Sequence, residues 1–121
     1  EPPAEADYVD PEVFNRTWSY DVYPVPPAHE LLKLMRHVRS RLDQVTAPAL
    51  IINGARDDQV PVSAAWLIRD RIRSSEKEVL IVENSGHILP LDAGRQLVWE
   101  RTYQFIQSHS SKNHLTRERG T

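Results

Sequence analysis

Hydrophobic positions change period along this chain. From residue 29 to 42, Leu31, Leu34, Met35, Val38 and Leu42 recur at i, i+3, i+4, i+7 spacing, with Lys33, Arg36, Arg39 and Arg41 between them. That pattern predicts an amphipathic helix whose basic residues form a solvated face. After Thr46-Ala47-Pro48 comes Ala49-Leu50-Ile51-Ile52-Asn53-Gly54. A short, continuous, branched apolar run closed by Asn-Gly predicts a strand buried on both faces. A second helix is expected over residues 63–73, with Ser63 as N-cap and Ala64, Leu67, Ile68 and Ile72 facing inward. Ser74-Ser75-Glu76 turns the chain into a second strand of the same type, Val79-Leu80-Ile81-Val82, and Asn84-Ser85-Gly86-His87 forms a tight loop. The last helix is expected over residues 92–107, with Asp92 as its cap and Val98, Thr102, Phe105 and Ile106 on its inner face.

Two buried-type strands joined by a helix predict a right-handed βαβ unit, hence an α/β fold with parallel strands. Strands apolar on both faces need helices on both sides and further strands along their edges. A sheet of two strands is marginal alone. The expected architecture is the C-terminal portion of a doubly wound parallel sheet, with about two strands and three helices, incomplete by itself.

Residues 1–28 read differently. Six of the nine prolines fall there, so an irregular course is expected, with at most short helical turns. The same stretch carries Tyr8, Phe14, Trp18, Tyr20 and Tyr23, more aromatic surface than a solvated linker needs. It is read as an arm packed over the core or as a lid over an apolar pocket. Residues 29–108 form the α/β unit, and residues 109–121 a polar, flexible tail.

Composition narrows the chemistry. Fifteen Lys and Arg against seventeen Asp and Glu leave a net charge of −2, so the basic footprint of a nucleic-acid binder is missing. The absence of cysteine removes disulfides, thiolate metal sites and Cys catalysis. No apolar run approaches the roughly 18 residues of a membrane span. The chain starts at Glu1 with an acidic, Pro-rich stretch unlike a signal peptide, so either something has been removed upstream or the chain is part of a longer product; with no cysteine and no visible signal it is expected to be cytoplasmic.

Two loops carry candidate chemistry: Gly54-Ala55-Arg56-Asp57-Asp58-Gln59-Val60-Pro61, and Ser85-Gly86-His87. Each follows the C-terminal end of a predicted strand, where open α/β sheets place their ligands. Neighbouring parallel strands lie about 5 Å apart, so Asp57 and His87 emerge within reach of one another. A carboxylate that accepts a proton from one ring nitrogen fixes the tautomer of a histidine and leaves the other nitrogen as a general base toward a hydroxyl. Gly54 and Gly86 suit unusual backbone angles or close approach where the strands break into loops.

The two segments resemble the C-terminal part of an α/β-hydrolase, in the branch of bacterial carboxylesterases and monoacylglycerol lipases. In that branch a Gly-x-x-Asp-x-x-Val-Pro segment carries the triad acid, matched by Gly54, Asp57, Val60 and Pro61. A later Ser-Gly-His carries the base, matched by Ser85, Gly86 and His87. The run Ile88-Leu89-Pro90-Leu91-Asp92 into the terminal helix, and Leu42-Asp43 through Ala47-Pro48, are also similar. The likeness covers residues 31–108. It implies a serine hydrolase of carboxylic esters needing no metal or organic cofactor, with a small-molecule ester as substrate. Trp18, Tyr20 and Tyr23 are the expected acyl-chain contacts.

One departure is large. The family's nucleophile sits in a Gly-x-Ser-x-Gly elbow. The four glycines here, Gly54, Gly86, Gly94 and Gly120, bracket no serine at that spacing, and no oxyanion hole is recognisable. The chain alone is therefore expected to be inactive and to need the N-terminal part of the same hydrolase as its partner. Asp58 competes with Asp57, but the glycine spacing favours Asp57. An Asx-turn is the structural alternative for Asp57. For His87 it is an ordinary histidine held by a backbone carbonyl. Arg56 beside Asp57 is a candidate for lowering its pKa. Ser85 belongs to the His87 loop and is not read as the nucleophile. Trp66 and Trp99 read as cover for the sheet. His29 and His37 read as solvated, and His109 and His114 stand too far into a polar tail to suggest a metal site. Acyl transfer, peptidase and dehalogenase chemistry on the same fold stay open. So does a non-catalytic hydrolase remnant that binds a partner through its sheet edge.

Overall fold

Ala49–Gly54 (β1) and Lys77–Val82 (β2) pair in parallel, in register from Ala49 opposite Lys77 to Gly54 opposite Val82. The computed structural model describes residues 8–16 and 25–110. A 3-10 turn at Pro11–Arg16 is followed by α1 (Val25–Arg39) and a short 3-10 turn at Leu42–Gln44. Then come β1, α2 (Ser63–Arg71), β2 and α3 (Arg95–Ser110). Among the described residues the sheet has two strands, joined by α2 as the crossover. This is the expected βαβ unit. Helix α2 packs on both strands and α3 packs on β1.

Local chemistry explains the boundaries. Helix α1 starts at Val25 and holds Pro26 and Pro27 in its first turn. Proline is tolerated there because first-turn N–H groups have no partner within the helix. The helix closes where Ser40 Oγ donates to the His37 carbonyl at 2.8 Å. Ser63 is the first residue of α2 and does not cap it. Val62 occupies the cap position without a side-chain bond, and Ala64 N donates to the Pro61 carbonyl at 2.8 Å. At the other end Lys77 Nζ donates to the carbonyls of Arg69 and Ile72, at 2.8 and 2.9 Å. That places an ammonium on the negative end of the helix.

Three expectations need correction. The strands are half-buried along most of their length, and full burial is reached only at their C-terminal ends, by Asn53, Gly54 and Val82. Two strands shield each other on one edge only, so the apolar side chains at their N-terminal ends keep contact with solvent. The apolar stripe of α1 is likewise open: Leu31, Leu34, Met35 and Val38 are each 50–57% exposed. Asp92 does not cap α3 with its side chain. The helix begins at Arg95, whose N–H donates to the Asp92 carbonyl, while the Asp92 carboxylate turns elsewhere. Val98 is buried beneath α3, Thr102 and Phe105 are half-buried, and Ile106 is exposed.

Helix α3 runs to Ser110, beyond the expected end of the ordered unit. The His109 ring stands 2.7 Å from the Phe105 carbonyl and 2.9 Å from Glu76 Oε2, which ties the last turn to the start of β2. His114 lies outside the described residues. No helix among those residues is long and apolar enough to cross a membrane.

Candidate active site

The parallel register releases both candidate loops at the same level of the sheet. Beyond its last paired residue, β1 continues to bond across the gap. Ala55 N donates to the Val82 carbonyl at 2.9 Å, and Arg56 N to the Ser85 carbonyl at 3.1 Å. The loop after β1 is thereby laid directly on the loop after β2. Gly54 makes this possible. A Cβ at that position would collide with the carbonyl oxygens of Ser85 and Gly86. Its role is close approach, since no described residue has a positive φ.

Asn53 fixes the base of the first loop. Its buried Nδ2 donates to the Gly54 carbonyl at 3.0 Å and to the Val60 carbonyl at 3.2 Å. Within the loop, Asp57 Oδ1 accepts from Gln59 N at 2.9 Å and from Val60 N at 2.8 Å. This is the Asx-type turn, and it coexists with a second contact. His87 Nδ1 stands 3.2 Å from Asp57 Oδ1 and 3.1 Å from Oδ2. The Asp57 side chain is 6% exposed, whereas that of His87 is 38% exposed.

Burial pushes the Asp57 carboxyl up. The N–H of Val60, the His87 ring and the N–H of Gln59 together outweigh it and hold the group below the usual carboxylate range. An ionised carboxylate only accepts, so it assigns Nδ1 as the donor of this bond; in the neutral ring that tautomer leaves the lone pair on Nε2. The arrangement can take a proton at an exposed imidazole nitrogen while a fixed negative charge steadies the ring. No ion pair joins Arg56 to Asp57 among the described residues, so the lowering does not need the guanidinium.

Ser85 is fully buried, and its Oγ accepts from Gly94 N at 3.0 Å. Gly94 is pressed against it: a Cβ there would strike Ser85 Oγ and Val82 Cγ1. The Ser85 hydroxyl is thus a structural part of the His87 loop. Trp66 and Trp99 are partly exposed, with Arg69 stacked on Trp66 and Trp99 Nε1 donating to the Pro90 carbonyl. His29 and His37 are exposed on α1. The expected acyl-chain contacts Trp18, Tyr20 and Tyr23 lie outside the described residues.

Sequence reasoning missed two members of the site. Asn53 was readable only as the polar end of an apolar run. The place of Asp92 before a helix predicts a cap, yet it is fully buried and accepts from the N–H groups of Val9, Asp10, Gly86 and Ala93. Val9 and Asp10 lie more than eighty residues away along the chain, beyond the reach of any local pattern.

Comparisons with known proteins agree on one family. Residues 15–93 match the family model described as serine aminopeptidase, S33. A thermostable monoacylglycerol lipase of Bacillus sp. (strain H-257) is 31% identical over 105 residues, which is 87% of this chain and 41% of that protein. A carboxylesterase of Bacillus subtilis (strain 168) is 25% identical over 88 residues, covering 73% of this chain and 36% of the relative. Among solved structures, one reported with LipS and LipT, two metagenome-derived lipolytic enzymes, superposes with a TM-score of 0.72 at 40% identity. It covers 75% of this chain and 37% of its own. The chain spans about two fifths of the length of the relatives it matches.

Proposed function

Since the chain belongs to the serine aminopeptidase S33 family of α/β-hydrolases, we propose that it supplies the acid and the base of a serine hydrolase acting on carboxylic esters. Asp57 is the triad acid and His87 the base. The nucleophile and the oxyanion hole come from hydrolase sequence not found in these residues, so this chain by itself does not turn over esters. The observation that carries the reading is the contact between the shielded Asp57 carboxylate and Nδ1 of the exposed His87 imidazole.

In the proposed cycle a serine hydroxyl attacks the ester carbonyl while His87 Nε2 takes its proton. The imidazolium formed is steadied by Asp57 and returns that proton to the departing alcohol oxygen. Water then attacks the acyl-serine ester, giving a proton to Nε2, which passes it to the serine oxygen as the acyl–oxygen bond breaks and the carboxylic acid is released. The names of the relatives, monoacylglycerol lipase and carboxylesterase, support a monoglyceride or another carboxylic ester as substrate.

The test is labelling with a serine-directed fluorophosphonate, read by intact mass. It is applied to this chain and to a longer product joining it to the remaining hydrolase sequence. Labelling of the longer product alone, with ester turnover lost on His87→Ala or Asp57→Ala, is the expected result. Stoichiometric labelling of the 121-residue chain would reveal a nucleophile within it. No labelling of either would favour a non-catalytic remnant or a nucleophile other than serine.

A further inference from the structure

Asp92 is a buried carboxylate that the proposed chemistry does not use. Its two oxygens join two segments distant in sequence. Oδ2 accepts from Gly86 N at 2.7 Å, the residue immediately before His87. Oδ1 accepts from Asp10 N at 2.7 Å, Val9 N at 2.9 Å and Ala93 N at 2.8 Å. Val9 N also reaches Oδ2 at 3.1 Å. The arm is anchored further where Arg95 donates to Asp10 Oδ2 at 3.1 Å and to the Asp92 carbonyl at 3.2 Å, and where Val13 is fully buried. Among the described residues all the donors to this carboxylate are backbone N–H groups, so what the site requires is a side chain with two acceptor oxygens and no proton of its own.

We propose that Asp92 is a positioning residue. Its carboxylate clamps the arm at Val9–Asp10 against the Gly86–His87 loop, and the clamp holds His87 in register with Asp57. The inference rests on the acid–base reading of that pair. An amide in place of the carboxylate keeps the shape but has one acceptor oxygen. With its oxygen on the Oδ2 side it keeps Gly86 and Val9 but loses Asp10, with its oxygen on the Oδ1 side it loses Gly86, and in either case its NH2 group would face an N–H donor. Asp92→Asn therefore separates the clamp from simple space-filling.

The experiment uses NMR on the full 121-residue chain. In the unmodified protein the amides of Val9, Asp10 and Gly86 are expected to exchange with solvent through a common opening, with the same protection. Long-range 15N–1H spectra of His87 should report a single tautomer with the proton on Nδ1. In Asp92→Asn, exchange at Gly86 or at Asp10, whichever faces the NH2 group, should accelerate by about tenfold or more, the loss of one buried hydrogen bond. The His87 signal should become a mixture of tautomers, while the β1 and β2 amides keep their protection. Asp70→Asn, on the exposed side of α2, is the control and should change none of these.

Unchanged exchange at both Gly86 and Asp10 and an unchanged His87 tautomer in a folded Asp92→Asn protein would overturn the proposal. Should that variant not fold, the unmodified chain decides. Common protection of Val9, Asp10 and Gly86 supports the clamp. Protection of Gly86 with free exchange at Val9 and Asp10 overturns it. An unmodified His87 lacking the Nδ1 proton counts against the Asp57–His87 pair, and so against the proposed function, while correlated exchange still reports the clamp.

Discussion

Gly54 lies directly against the Ser85 carbonyl, with no room for a side-chain carbon between them. Through this contact the strand that leads to Asp57 is seated on the loop that leads to His87. Gly54→Ala should force one of the two backbones to move. A loss of about 1–3 kcal/mol is expected, in the range of overpacking a tight site. Thermal unfolding would measure it, and crosspeaks of Ser85 and Gly86 should shift more than those of α2. An unchanged melting temperature would mean that the loops are not pressed together as described.

Asp57→Asn separates the two roles of that side chain. The remaining carbonyl oxygen can still accept from Gln59 and Val60, so the turn should survive with a stability loss of about 1 kcal/mol or less. Toward His87, however, the amide presents either a donor or a neutral acceptor. Ester turnover by the longer hydrolase should fall by roughly 10⁴-fold, the scale seen when a triad carboxylate becomes an amide. Equal losses in stability and in turnover would argue for a purely structural Asp57.

Asp57 and Asp92 both have carboxyl groups held below their ordinary value of 3.8. For Asp92, burial pushes upward and is outweighed by the N–H groups of Gly86, Asp10, Val9 and Ala93. In the unfolded chain both groups take up protons at the ordinary value, whereas in the fold they do so only at lower pH. Stability should therefore be level above about pH 5 and fall as pH drops through the ordinary value toward the lowered ones. Melts from pH 7 to pH 3 would show the slope. Asp92→Asn should flatten it, and a variant with the full slope would place its origin elsewhere.

Lys77→Met should destabilise without touching the chemistry. It removes a charged donor from two carbonyls at the end of α2, for an expected cost of about 2 kcal/mol. The tautomer of His87 should stay as it was. A change there would mean that the far end of the sheet is coupled to the site.

Much of this architecture was legible from residues. Branched apolar runs at residues 49–52 and 79–82 marked the strands, and a helix between them made the strands parallel. The meeting of Asp57 with His87 followed from that geometry, because parallel strands release their loops at one end. The burial of those strands was less legible. Apolar residues declare that they need cover, but not whether the neighbours present supply it, and α1 shows the same gap with its open Leu34 and Met35. Asp92 was misread for a different reason. Its position before a helix fits a cap, and only three-dimensional proximity brings Val9 and Asp10 to it.

The parallel register also divides the molecule by tolerance to change in length. Both chemical loops leave the sheet opposite one another, at Gly54 and Val82, while the strands start opposite one another at Ala49 and Lys77. A residue inserted before Ala49 or before Lys77 lengthens a connection and leaves the pairing intact. A residue inserted within either strand turns every later side chain to the other face and parts Asp57 from His87. Over evolutionary time, gaps and insertions should therefore gather at the entry end of the sheet, while the six-residue length of each strand stays fixed. A library of single-codon insertions, scored for folding, would draw that boundary directly.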